Sequence, residues 1–180
     1  MSGIIDTVGS KSGVVGSDVY PDGHIIQTVA ETYVSGNSDT TTSTTQIICV
    51  SGSTKHWKCA IDNVLASSKV LINVTFTFEV AHDGIDPNCG FSIWRGDSTK
   101  IFPSSNEGQS AVYYCPRSTG SGIQYYAATT NIQWLDESPD TGSTTYYLGY
   151  ACGHTTVKIG STSASSLSHD FTMILQEIAG

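Results

Sequence analysis

The chain has 180 residues, with 16 acidic residues against eight lysines and arginines and a formal net charge of −8. This length predicts one domain of ordinary size, which needs no disulfide or metal framework for stability. An acidic chain lacks the basic surface that displaces counterions from phosphates, so we expect no direct binding to DNA or RNA. No apolar run reaches the roughly 18 residues of a membrane helix. Residues 1–6 also lack the basic start of a signal peptide, so we expect synthesis in a cytosol and no membrane insertion.

Residues 1–22 form a glycine-punctuated segment that precedes the first predicted strand. Its small apolar side chains cannot build a core of their own, so we expect an N-terminal arm that docks on another protein. Residues 23–180 then form the folded domain. The predicted docking residues of the arm are Ile4, Ile5, Val8, Val14 and Val15.

The clearest strand is predicted over residues 70–80, where apolar and polar side chains alternate. Alternation sends successive side chains to opposite faces of a sheet, so one face belongs to a core. Many shorter strands with turn signals between them predict an all-β fold, an antiparallel β-sandwich or jelly roll with a short N-terminal arm. These weaker strands are predicted over 24–34, 45–50, 56–60, 91–93, 100–102, 111–115, 123–135, 144–150, 155–159 and 171–178.

Two segments interrupt the strand pattern. Residues 35–45 are almost entirely serine, threonine, asparagine and aspartate, which predicts a polar linker or long loop. Residues 60–67 have a weak helical pattern and are predicted to form a single turn or loop.

The short motifs of the chain indicate turns between strands and no catalytic or metal-binding site. Arg95, Gly96 and Asp97 match the tripeptide of some adhesion ligands, but they also fit a turn between two strands. Gly-Asp-Ser at 96–98 resembles a protease nucleophile, yet no histidine and acid are placed beside it. Acidic residues cluster at 83–88 and 136–140, with too few oxygens in either loop for calcium. We therefore expect no enzyme activity, no metal and no cofactor.

Five cysteines occur without a CxxC pair, so a zinc ribbon is not predicted. Buried reduced thiols are the interpretation we favour for a cytosolic product. The alternative is a disulfide, for which the best pair is Cys49 with Cys59, on either side of a predicted turn.

Tyrosines occur in adjacent pairs, at 113–114, 125–126 and 146–147. One ring of each pair must point away from the other across its strand, so inner rings fill the core and outer rings are available for a subunit interface. A sugar-stacking or partner-binding surface is the alternative. The residues predicted for an interface or partner surface are Tyr113, Tyr125, Trp134, Tyr146 and Tyr150.

Six stretches of the chain are recurrent phrases: 1–16 (MSGIIDTVGSKSGVVG), 67–78 (SSKVLINVTFTF), 91–96 (FSIWRG), 134–139 (WLDESP), 144–147 (TTYY) and 175–180 (LQEIAG). They resemble segments of a family of small virion proteins and fibre-tip domains of tailed phages of aquatic bacteria, including cyanophages. The resemblance implies a jelly roll similar to trimeric tumour-necrosis-factor-like domains, carried on tail fibres or capsid surfaces. The five cysteines and the 35–45 linker depart from that family.

On this basis we expect a homotrimeric cement or decoration protein on the virion exterior, made in the host bacterial cytoplasm. Its partners would be other copies of itself and the major capsid protein or a tail protein. The alternative is a tail-fibre or receptor-binding module that recognises host surface glycans.

Overall fold

The computed structural model describes residues 22–33, 39–49, 57–82, 88–103, 112–114, 124–152, 156–159 and 171–180. These ranges contain strands and turns and no helix. The strands are β1 Ile25–Tyr33, β2 Asp39–Thr41, β3 Ile47–Ile48, β4 Lys58–Val64, β5 Lys69–His82, β6 Asn88–Arg95, β7 Thr99–Phe102, β8 Val112–Tyr114, β9 Gln124–Asp136, β10 Gly142–Cys152, β11 Thr156–Ile159 and β12 Phe171–Ile178.

The first sheet, sheet A, is organised around β5. Strand β9 pairs with one side of β5 along nearly its full length, while β12 and β11 follow one another along the other side. Beyond them, β1 pairs with β12 and β2 pairs with β11. All of these pairs are antiparallel, so β9 forms one edge of sheet A and β1 with β2 forms the other.

The second sheet, sheet B, is organised around the β6–β10 pair. Strands β7 and β8 follow one another along the outer side of β6. Strands β4 and β3 do the same along the outer side of β10.

The connections between the sheets follow a jelly roll. Its main strands in chain order are β1, β4, β5, β6, β7, β9, β10 and β12. The first, eighth, third and sixth of these form sheet A, and the second, seventh, fourth and fifth form sheet B. This interleaving is the double Greek key of a jelly roll. The predicted all-β antiparallel sandwich is therefore confirmed.

The core lies between the two sheets and contains the face predicted for residues 70–80. The six apolar side chains that alternate along this face of β5 are at most 1% exposed; they are Val70, Ile72, Val74, Phe76, Phe78 and Val80. Phe76 and Phe78 contact Phe91 of sheet B, with ring centroids 4.7 and 4.8 Å apart. Burying one large apolar side chain contributes about 1.5–3 kcal/mol, so contacts of this kind stabilise the two sheets against each other.

Two predicted loops are partly strands. Residues 60–64 belong to β4, where Ile61 and Val64 point into the core, so the predicted helical turn at 60–67 is wrong over that part. Asp39–Thr41 forms β2 inside the predicted linker and pairs with β11. In both segments, pairing with a neighbouring strand overrides a weak local preference.

The predicted N-terminal arm, apart from Asp22, lies outside the described residues. This applies to all of its predicted docking residues, which are Ile4, Ile5, Val8, Val14 and Val15.

Candidate interaction surface

The outer face of sheet A carries three complete rows of side chains across four strands. The strand register aligns Thr32, Thr172, Thr75 and Asn131 in one row, Ala30, Ile174, Asn73 and Gln133 in the next, and Thr28, Gln176, Leu71 and Leu135 in the third. Every one of these residues is half-buried or exposed. Together with the paired Thr77 and Thr129, they are called the Thr/Asn face here.

Polar side chains of the Thr/Asn face bond to each other across the strands. The hydroxyls of Thr77 and Thr129 are 2.8 Å apart. Asn131 Nδ2 donates to Asn73 Oδ1 at 2.5 Å and to Thr75 Oγ1 at 2.8 Å. Polar groups that already have partners within the protein lose less when water is removed from them. The face is therefore polar, but the free-energy cost of removing water from these bonded groups is small.

The positions of the Thr/Asn face carry no charged residue, and the charges on the same side of sheet A, Lys69, Glu79 and Lys158, lie at its two ends. An ordinary soluble surface carries charged side chains at roughly a quarter to a third of its positions. Depletion of charge is a feature of the buried centres of protein interfaces. In composition, the Thr/Asn face resembles such a centre more than a solvent-exposed surface.

In the two tyrosine pairs whose side chains the structure describes, 125–126 and 146–147, the rings point in opposite directions, as predicted. On β9, Tyr125 is 49% exposed on the outer side, whereas Tyr126 packs against the core. On β10, Tyr146 and Tyr150 are at most 1% exposed. These two are core residues, so their assignment to an interface or partner surface is wrong. Tyr125 remains the candidate from that set.

The other two predicted surface aromatics have different positions. Trp134 is half-buried and packs on Phe102 with ring centroids 5.0 Å apart, where β9 of sheet A meets β7 of sheet B. Trp134 thus closes one side of the sandwich. Tyr113 lies on β8, opposite Cys89, and its side chain is outside the described part.

A buried ionic cluster joins the turn after β9 to the end of β6. Arg95 Nη1 lies 3.1 Å and 3.2 Å from the two carboxylate oxygens of Asp136, and it also donates to the carbonyl oxygen of Ser138. Arg95 Nε lies 3.8 Å from Asp140 Oδ2. The Tyr146 hydroxyl donates to Asp136 Oδ2 at 2.9 Å. Burial, followed by the adjacent Asp136 carboxylate, raises the pKa of Tyr146, which keeps its hydroxyl protonated as a donor.

The cluster includes residues of the acidic loop at 136–140 and of the Arg-Gly-Asp motif at 95–97. The turn prediction is confirmed, since Gly96 adopts a φ of 60°, a conformation that favours glycine. The Arg95 guanidinium pairs with Asp136 and lies 3.8 Å from Asp140, two acids of the loop considered for calcium, so its single positive charge offsets part of their negative charge. Within the described ranges, no group of three or more histidines, cysteines, aspartates or glutamates is placed to hold a metal ion.

The structure contains Cys49 and Cys59 as buried thiols, which is the interpretation that the sequence favoured, and the alternative of a disulfide between them is not present. The Cys49 amide donates to Leu148, and Cys59 lies opposite Tyr146, two positions away along the same side of β10. Two residues along a strand span about 7 Å, whereas the Cα atoms of bridged cysteines are usually about 4.4–6.8 Å apart. Burial, followed by the nearby Glu31 carboxylate, raises the pKa of the Cys59 thiol to about 11.

Two buried polar arrangements were not predicted from the sequence. Glu177 is fully buried and accepts bonds from the Leu65 amide at 2.8 Å and from Gln27 Nε2 at 2.7 Å. On the outer side of sheet B, the Trp94 indole donates to Ser92, which donates to Gln46, both at 2.8 Å. The alternation of β12 places Glu177 on the same face as Phe171, Met173 and Leu175. This pattern in the sequence could have predicted that Glu177 is buried.

Comparisons with known proteins assign no family to the chain. No family model and no curated protein matches the chain. Among solved structures, the chain is similar to a structure of infectious bursal disease virus, Gx strain, with 11% identity and a TM-score of 0.32. The match covers 97% of this chain and 42% of that chain, so this chain spans less than half the length of that protein. We draw no functional conclusion from a likeness at this TM-score.

Over the ranges that the structure describes, no helix is long and apolar enough to cross a bilayer.

Proposed function

We propose that the protein is a structural component of the exterior of a tailed-phage particle and that it acts by binding other virion proteins through its surface. The observation that carries this proposal is the uncharged Thr/Asn face on a chain with a net charge of −8. The resemblance of six stretches of the sequence to virion proteins is the reason for proposing a phage particle as the location.

Physical reasons favour this face as the contact with the particle. The charges of the chain lie outside the face, for example in the exposed Lys69–Glu137 pair, whose atoms are 3.9 Å apart. Covering the face therefore desolvates no charge, and desolvated charges are the costly element of an interface. Because Asn131, Thr77 and Thr129 already have lateral partners, few polar groups lose a bond when water leaves.

The finer parts of the sequence-based expectation stay predictions. These are the homotrimer, the capsid rather than the tail as the location, and the docking of residues 1–22. The Thr/Asn face would act beside such an arm, because a flat sheet face and an extended segment can bind the same partner.

Locating the protein in particles tests the proposal. Purified particles of the phage that encodes the chain should contain it at a fixed copy number by quantitative mass spectrometry. Immunogold labelling of intact particles should mark the outer surface. Absence of the chain from purified particles would refute the proposal.

A variant comparison tests the face itself. Ala30→Lys places a charge on the Thr/Asn face, and Ala60→Lys places the same charge on the exposed outer side of β4 in sheet B. We expect Ala30→Lys to weaken co-sedimentation with particles that lack the protein, by about tenfold or more, and Ala60→Lys to leave it unchanged. Equal binding by both variants would exclude the face as the contact.

A further inference from the structure

We infer that β9 is the strand through which two copies of the chain associate, edge to edge and antiparallel around a two-fold axis. The two copies of sheet A would then form one continuous sheet. This inference rests on the proposed function and deepens it by naming a second copy as the partner of a specific edge. It puts a two-fold dimer in place of the homotrimer expected from the sequence.

The edge formed by β9 is long and regular. All of its 13 residues, Gln124–Asp136, pair with β5 residue by residue and without a register shift. In the part of the chain that the structure describes, no strand pairs with the opposite side of β9. An edge of this kind presents a row of backbone N–H and C=O groups, which is a template for another strand.

Every other edge in the described sheets has a feature that blocks further pairing. Strand β1 carries Glu31 and shifts its register between Ile25 and Gln27. Strand β4 carries Lys58 and Asp62. Strand β7 has four residues and a register shift, and β2, β3 and β8 have two or three residues each. Charges, irregularities and shortness are the usual protections of edge strands, and β9 has none of them before its last residue.

The sequence of β9 explains why a second copy is the partner we name. From Gln124 to Leu135 there is no aspartate, glutamate, lysine, arginine, histidine, proline or glycine. Two copies of an acidic chain repel each other over most of their surface. Along β9 they can approach without bringing like charges together, and antiparallel pairing of a strand with its own copy closes an isologous contact.

Pairing centred on Thr130 produces compatible neighbours. The 13-residue strand then overlaps fully, with Gln124 opposite Asp136 of the partner subunit. On the outer side, Ala127 lies opposite Gln133 of the partner subunit. On the inner side, Tyr126 lies opposite Trp134 of the partner subunit, an aromatic pair of the kind that stabilises sheets. Such an overlap supplies about a dozen backbone hydrogen bonds.

The first test is the native mass of the purified full chain and of Ala127→Lys. Ala127 is exposed on the outer side of β9, and a lysine there protects an edge from pairing. We expect a dimer of the 19.1 kDa chain at micromolar concentration and a dissociation constant raised at least tenfold by Ala127→Lys. Ala30→Lys is the matched control, since it makes the same change on β1 at the opposite edge, and it should leave the dimer intact.

The second test examines the register. Ala127→Lys combined with Gln133→Lys places like charges opposite each other across the axis, and Ala127→Glu combined with Gln133→Glu does the same. Each doubly substituted protein should therefore be monomeric alone. A mixture of the two should form a one-to-one heterodimer, because every introduced charge then faces its opposite. Circular dichroism and the urea unfolding midpoint establish that each variant is folded.

Several outcomes would overturn the inference. A monomeric or trimeric native mass for the unsubstituted chain would do so, as would a dimer that Ala127→Lys does not weaken. Failure of the two doubly substituted proteins to form a heterodimer would exclude the stated register. These outcomes are separate from those of the proposed function, because a chain found on particles whose β9 variants associate normally would retain the function and lose the β9 contact.

Discussion

Replacing Arg95 by alanine tests how much the buried cluster at the end of β6 stabilises the fold. The side chains of Arg95 and Asp136 are 18% and 7% exposed, so the pair is largely shielded from water. Removing the guanidinium leaves the Asp136 carboxylate buried, with the Tyr146 hydroxyl and the Ser138 amide as its remaining donors in the cluster.

The magnitude follows from these contacts. Deleting one partner of a buried ion pair costs about 3–5 kcal/mol, because the other charge stays buried and uncompensated. Arg95 is partly exposed and two donors to Asp136 remain, so we expect a loss near 3 kcal/mol in the free energy of unfolding. Asp136→Ala removes the charge itself but leaves the Tyr146 hydroxyl without its acceptor. In a double-mutant cycle, the combined variant should therefore lose less than the sum of the two single losses.

Urea unfolding followed by tryptophan fluorescence, at one protein concentration, measures these losses. The control is Lys69→Ala, which breaks the exposed Lys69–Glu137 pair, and such pairs contribute about 0–1 kcal/mol. A loss below 1 kcal/mol for Arg95→Ala, or a loss equal to that of Lys69→Ala, would refute the reasoning.

Three further predictions concern the interior. A Cβ at Gly149 would lie 2.5 Å from Ser92 Oγ and 2.8 Å from the Ile47 carbonyl oxygen, so Gly149→Ala should lower the free energy of unfolding by about 1–3 kcal/mol in urea titrations. Cys89 and Cys152 are buried thiols in directly opposite positions on β6 and β10, so their Cα atoms lie about 4.5–5.5 Å apart. This distance suits a disulfide, so treatment with oxidised glutathione should bridge them. Peptide mapping should find that bridge and no Cys49–Cys59 bridge. The unfolded chain releases the Cys59 proton near pH 9 and the folded chain near pH 11, so this contribution to stability is present below pH 9 and is lost between the two values. A urea midpoint that does not fall over that interval would contradict the shift.

The fold was largely predictable because its strongest signals are periodic. Residues 70–80 alternate so regularly that their core face could be named residue by residue, and sheet A is organised around this strand. The errors lie in segments whose local sequence pattern is weak and whose secondary structure is determined by pairing with a neighbouring strand. Residues 60–64 and 39–41 become strands because β10 and β11 provide edges for them, and no pattern within those segments contains that information.

The surface was predicted less well than the core, for a physical reason. Tyrosine pairs indicate that one ring points inward and the other outward, but they do not say which. Tyr146 points inward because it alternates with Tyr147 and shares the core face of β10 with Leu148 and Tyr150. Which face of β10 meets the core depends on the strands it pairs with, and therefore on the order of all the strands. The charge-free run of β9 is visible in the sequence, but its meaning as an edge depends on that same order.

The strand order also constrains synthesis of the protein. Strand β12 lies between β1 and β5, so these two early strands are joined in sheet A only through residues 171–178, which are synthesised long after both of them. While those residues remain in the ribosomal exit tunnel, β1 has no neighbour in sheet A and the apolar side of β5 is only partly covered. The nascent chain must therefore wait in an incomplete state until translation passes β12, and chaperones that bind exposed apolar strands have that interval in which to engage it.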